Sequence, residues 1–167
     1  GLAGLRTVEG LRQHGFAGEI VLLGGESVHA YDRPPLSKAV LHSGSGRPYL
    51  RGPDEYDELG VDLRLAAPAV ALDTVARQLV LDGGERIDYD AAVLATGAIA
   101  RTLPFVTGPS VHTLRTFADA ERLRAAILEH GEVAVIGAGF LGCEVAATAR
   151  SLDAKVMLIE ALSAPLE

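Results

Sequence analysis

VAVIGAGFLGCEVAATARSL, Val133 to Leu152, is the stretch whose reading decides the fold. Val133–Ile136 is an apolar run of strand type. Three glycines follow at fixed offsets, Gly137, Gly139 and Gly142, and a helix is expected from Glu144 to Leu152. Lys155 to Glu160 is a second apolar run of buried-strand type. Strand, glycine turn, helix and strand make a βαβ unit. Each glycine answers a separate demand: a tight first bend, bare backbone beside a pyrophosphate, and close contact of helix and strand. The helix start then offers N–H groups and a positive dipole end to the phosphates. Glycine fills 19 of the 167 positions, so three at these offsets alone arise by chance in about one such chain in four. Specificity comes from the flanking strand and helix, and from Glu160 closing the next strand. An acid there accepts both ribose hydroxyls of NAD and repels the extra phosphate of NADP. The plain alternative is a tight turn with a surface acid.

Toward the N-terminus, Leu2, Leu5, Val8 and Leu11 recur three apart, which predicts a helix over Leu2 to Gln13 with Gly15 just past its end. Glu19 to Leu23 (EIVLL) reads as a short buried strand. The chain opens directly on this helix, so the first strand of a βαβ unit is expected to lie outside it. Gly1 and Gly4 read as the tail of a second glycine motif, although two glycines alone are weak evidence. Ser27 to Lys38 is a loop, since Pro34 and Pro35 fit neither a helix interior nor a central strand. A short helical stretch is expected to reach His42. From Val61 to Ala92 the pattern is β, including a meander with a turn at Asp82 to Gly84. Val111–Leu114 is a candidate strand. Thr116 and Asp119 form a candidate cap for a helix over Ala118 to His130, which Gly131 ends.

Composition narrows the partners. Apolar residues make up 49% of the chain, enough for a core, and the net charge is −7. A long polyanion would be repelled, so nucleic acid is not an expected partner. Cys143 is the only cysteine, which rules out an intrachain disulfide and suits a reducing, cytoplasmic location. No apolar run is long enough to span a bilayer, and GLAGLRTVEGLR lacks the layout of a secretion signal. The five histidines show no metal-ligand spacing.

At YDRPPLSK, Tyr31 to Lys38, the chain resembles the ferredoxin and rubredoxin reductase branch of the FAD-dependent pyridine nucleotide-disulfide oxidoreductases. The likeness runs in order along GLAGL, YDRPPLSK, LATGAIARTLP, HTLRTFADAERL, VAVIGAGFLGCEVAATA and the strand ending at Glu160. It implies a truncated α/β fold of FAD/NAD(P)-binding, Rossmann-like type, three-layered with a parallel sheet and a β-meander. An FAD-binding domain would cover residues 1–115 without its first strand, and an incomplete NAD-binding domain residues 116–167.

The resemblance also implies roles. Gly1, Ala3 and Gly4 fall where backbone N–H groups meet the FAD diphosphate. The acid that grips the adenosine ribose usually stands where this chain has Gly25, so the role passes to its neighbour Glu26. Ala69 falls on the strand at the adenine end, and Thr96 and Gly97 close the second FAD-binding strand. Arg101 and Arg115 match arginines that lie along FAD, where a guanidinium neutralises phosphate or bonds a flavin carbonyl. Lys38, one of two lysines in the chain, falls beside the flavin ring, where a cation stabilises the anion formed on hydride transfer. Glu144 is expected to look toward the nicotinamide and to pair with Lys38; its plain alternative is an acid serving the helix dipole. Disulfide reductases of the wider superfamily carry a cysteine pair where this chain has YDRPPLSK, so electrons would leave for an outside acceptor.

The implied activity is hydride transfer from NADH to FAD, then two single-electron transfers to a ferredoxin- or rubredoxin-type partner. Rival readings are an NADH oxidase or nitrite reductase-like flavoprotein, and a non-catalytic fragment that folds poorly alone.

Overall fold

The computed structural model describes residues 1–166. The chain divides into two compact units, Gly1–Tyr31 with Tyr49–Ala98, and Asp32–Pro48 with Ile99–Glu167.

The first unit begins with helix α1, Leu2–Gln13, which buries Gly4, Leu5 and Val8. Leu2 and Leu11, the ends of the same stripe, stay partly exposed. Strand β1, Val21–Leu23, is two residues shorter than the EIVLL run. It pairs in parallel with β2, Asp62–Arg64, in the register Val21 to Asp62. Arg12 ties this region together, because its guanidinium donates to the carbonyls of Leu59 (2.7 Å), Phe16 (2.7 Å), Gly18 (2.8 Å) and Gly60 (2.7 Å). The expected meander is present as β3 (Ala69–Asp73), β4 (Gln78–Leu81) and β5 (Arg86–Asp88), paired antiparallel in that order. Its turn uses positive φ at Gly83 (+97°) and Gly84 (+88°), which glycine adopts freely.

The strand expected to close at Thr96 and Gly97 does not form: residues 91–100 carry no regular structure. A strand exists only through a hydrogen-bonded ladder, and among the described residues none pairs this stretch. Val93 (65%) and Leu94 (70%) are accordingly exposed. Val111–Leu114 is also irregular, for the same reason.

In the second unit Pro34–Ser37 forms a 3₁₀ turn, followed by the short helix α2, Ala39–Ser43. A further short helix, α3 (Asp54–Glu58), belongs to the first unit. Helix α4, Phe117–His130, starts on the expected capping box: Thr116 Oγ1 accepts from Asp119 N (3.2 Å) and Asp119 Oδ2 from Thr116 N (2.7 Å). Strand β6 (Glu132–Ile136), helix α5 (Phe140–Ser151) and strand β7 (Lys155–Ile159) complete the βαβ unit, with β6 and β7 parallel. Leu41, Leu123, Ile127, Val145, Ala149 and Ala154 make the core, with Val133, Val135 and Val156 packed on it. Helices cover only this face, so β7 is not the fully buried strand expected: Met157 (64%) and Ile159 (42%) are exposed.

Asp32–Pro48 groups with the second unit, because α2 packs on α4 and α5.

Candidate functional site

Helices α1 and α5 begin in a way α4 does not. Both start on glycine, Gly1 and Gly139, and neither has a side-chain cap, whereas α4 has two reciprocal cap bonds. The N–H groups of a first helical turn have no intrahelical acceptor. With no side-chain cap at the two glycine motifs, these helix starts are able to offer their donors and positive dipole end to an anionic group.

In the second unit the three turn glycines separate by role. Gly137 has φ +99°, the tight bend. Gly139 has nothing within 4 Å of an added Cβ, so the turn is open there. At Gly142 an added Cβ would stand 1.8 Å from the carbonyl oxygen of Gly137, so only glycine fits. Glu160 reaches back to this turn, accepting from Ala138 N (2.5 Å), Ala161 N (2.6 Å) and Leu162 N (3.0 Å). Those backbone donors, Leu162 first, hold its carboxyl below the usual range. These residues fit the adenosine end of a dinucleotide: open turn, free helix start and an anchored acid.

The same unit joins Lys38 to Glu144, Nζ to Oε1 at 2.8 Å. Their side chains are 54% and 34% exposed. An ion pair this open contributes little alone, since water screens it and both side chains lose rotamer freedom. Ser37, which sequence reasoning passed over, donates its hydroxyl to Glu144 Oε2 at 2.5 Å. Thr148 Oγ1 in turn donates to the Ser37 carbonyl at 2.7 Å. Lys38 and then Ser37 depress the Glu144 carboxyl from its ordinary value. Signals existed for both residues: Ser37 sits within YDRPPLSK, and Thr148 is four beyond Glu144 on one helix face. Arg115 lies just before α4, partly buried, and its carbonyl accepts from Arg33 Nη1 at 2.5 Å. Arg101 is exposed on an irregular segment. Cys143 is a free thiol donating to the Ala138 carbonyl at 3.3 Å.

The first unit carries Gly1, Ala3, Gly4, Glu26, Ala69, Thr96 and Gly97. Gly4 is buried where a Cβ would stand 3.1 Å from Leu22 Cδ1 and 3.7 Å from Ala95 Cβ, so α1 closes tightly on its surroundings. Glu26 follows β1, its carboxylate accepting from the Tyr31 hydroxyl at 2.7 Å. Ala69 is exposed at the start of β3, and Gly97 has φ +71°. The start of α1 without a side-chain cap, the close glycine and the acid after β1 have the features that a second dinucleotide needs. Among the described residues no helix is long and apolar enough to cross a membrane.

Known proteins share this arrangement. The chain is 43% identical over 171 residues to rhodocoxin reductase of Rhodococcus erythropolis, covering 99% of this chain and 40% of the relative. It is 43% identical over 164 residues to the ferredoxin--NAD(+) reductase component of the p-cumate 2,3-dioxygenase system of Pseudomonas putida, covering 96% and 41%. The crystal structure of the ferredoxin reductase for the CYP199A2 system from Rhodopseudomonas palustris superposes with a TM-score of 0.94 at 37% identity, covering 98% and 41%. The chain thus spans about two fifths of the length of these relatives. The model of the pyridine nucleotide-disulphide oxidoreductases matches residues 1–167, and with two glycine-opened helices and an acid following the strand beside each, the chain belongs to that family.

Proposed function

We propose that this chain binds FAD and NADH and serves an NADH-dependent flavoprotein reductase that delivers electrons to a ferredoxin- or rubredoxin-type acceptor. The observation that carries the reading is the Lys38–Glu144 pair, which joins YDRPPLSK to the helix of the NADH-type turn. FAD, when bound, supplies the hydride-accepting and one-electron chemistry. The first turn of α1 would hold its diphosphate through the backbone at Gly1, Ala3 and Gly4, where Gly1 leaves the approach bare and Gly4 lets the helix pack closely. Glu26 would take the adenosine ribose, Ala69, Thr96 and Gly97 would line the cofactor with small groups, and Arg101 and Arg115 would meet its negative groups. Lys38 would place its ammonium where charge accumulates on reduction.

Glu144 would orient the nicotinamide end, while Gly137, Gly139, Gly142 and Glu160 would hold the adenosine end of NADH. Of these, Glu160 sets the preference for NADH, since a carboxylate repels a 2′-phosphate. Residues 1–115 would then supply FAD contacts and 116–167 NADH contacts, although Lys38 packs with the latter. The acceptor is inferred from relatives named as ferredoxin reductases. A cytoplasmic location is proposed from the single cysteine.

The test is a visible spectrum of the protein incubated with FAD and freed of excess, followed by anaerobic NADH or NADPH. A bound-flavin spectrum that bleaches with NADH and hardly with NADPH is expected. Protein that retains no flavin, or bound flavin indifferent to NADH, would overturn the proposal.

A further inference from the structure

Ser37 is 1% exposed and is the only buried residue with a polar non-aromatic side chain among the described residues. A buried hydroxyl must find an acceptor. Two are in reach, Glu144 Oε2 at 2.5 Å and the Pro34 carbonyl at 3.4 Å. A hydroxyl has one proton to give, and the nearer, charged acceptor takes it. Ser37 is itself held, because its carbonyl accepts from Thr148 Oγ1 at 2.7 Å. Glu144 and Thr148 are four apart on α5 and share a face, so Ser37 meets that face at two points. The hydroxyl is thereby a fixed post, whereas the Lys38 side chain, 54% exposed, meets Glu144 from the solvent side.

We propose that Ser37 and Thr148 are the positioning residues of the hydride-transfer site: Ser37 locks the Glu144 carboxylate through Oε2 and so turns Oε1 toward Lys38, and Thr148 holds Ser37 in place through its carbonyl. The geometry is independent of function, but the purpose rests on the reductase reading above. Both hydroxyls act through Glu144, so their removal should act on orientation at the nicotinamide end and leave flavin binding intact.

The test uses Ser37→Ala, the isosteric Thr148→Val and the conservative Thr148→Ser. A ¹³C-carboxylate NMR titration reads Glu144, its resonance identified by its loss in Glu144→Gln, with no flavin or nucleotide present. Ser37→Ala and Thr148→Val should raise the Glu144 midpoint toward the ordinary glutamate value, and Thr148→Ser should not. In the flavin-loaded protein, Ser37→Ala should slow bleaching by NADH about ten- to a hundredfold, with the acid limb of the pH profile moved to higher pH. Circular dichroism shows whether each variant folds, and the Thr148 pair decides the matter if Ser37→Ala does not. A Glu144 midpoint unmoved in folded Ser37→Ala and Thr148→Val overturns the positioning role, even where NADH bleaches the flavin normally. A shifted midpoint in a protein whose flavin NADH never bleaches supports the anchoring and overturns the reductase reading instead.

Discussion

Gly139→Ala and Gly142→Ala add the same methyl group to one turn and are expected to fail in different ways. At position 142 the new Cβ would stand 1.8 Å from the Gly137 carbonyl oxygen, where such contacts do not fall below about 3.0 Å. The turn or the start of α5 must therefore retreat by more than about 1 Å. The obstacle is backbone, so no change of rotamer relieves it. Helix α5 carries Val145, Ala146 and Ala149 into the core, and the retreat disturbs all three. Overpacking costs about 1–3 kcal/mol where side chains can yield, and about 3 kcal/mol is expected here. For a chain of this length that lowers the melting temperature by about 6–12 °C. At position 139, φ is −71° and nothing lies within 4 Å of the added Cβ. Gly139→Ala should melt within about 2 °C of the parent. In the proposed NADH site its methyl would fill the space a pyrophosphate needs to reach the start of α5, so affinity for NADH should fall at least about tenfold. Thermal unfolding by circular dichroism, run beside calorimetric titration with NADH, separates the two effects. The reasoning is refuted if Gly142→Ala melts like the parent, or if Gly139→Ala binds NADH unchanged.

Two further expectations concern stability. Arg12→Ala leaves four carbonyls without their guanidinium donor and should cost about 2 kcal/mol in urea unfolding; Arg12→Lys should not restore it, since an ammonium cannot reproduce the planar fork, and full recovery would count against this account. The Glu9, Asp119, Glu144 and Glu160 carboxyls are all held below their ordinary values. Depressed carboxyls stabilise above their unfolded-state values and lose that contribution as pH falls through the folded ones. Stability should therefore decline on acidification below about pH 4.5, the ordinary glutamate value. Glu160→Gln should flatten part of the decline; an identical acid profile for that variant would disprove the link.

Local order was legible because it is written in short-range pattern. The α1 stripe appears over Leu2–Gln13 as read, and the Thr116–Asp119 cap starts α4 one residue before the expected helix. The Lys38–Glu144 pair was reachable only through the family resemblance of two separated motifs. What failed were strands judged from apolar content alone, at 91–97 and Val111–Leu114. A run of Val and Leu records a tendency to pair but not whether a partner strand is present.

The sequence by itself determined the glycine turn, the acid Glu160, the break in regular structure before Pro34 and the βαβ order, since these depend on residue type and spacing along a few turns of chain. Only the tertiary structure decided that Asp32–Pro48 packs with the second unit, and that Ser37 donates to Glu144 while Thr148 donates to Ser37. It also decided which glycine serves packing and which leaves open space. Those outcomes depend on contacts between residues more than a hundred positions apart and on distances of tenths of an ångström, neither of which local periodicity encodes.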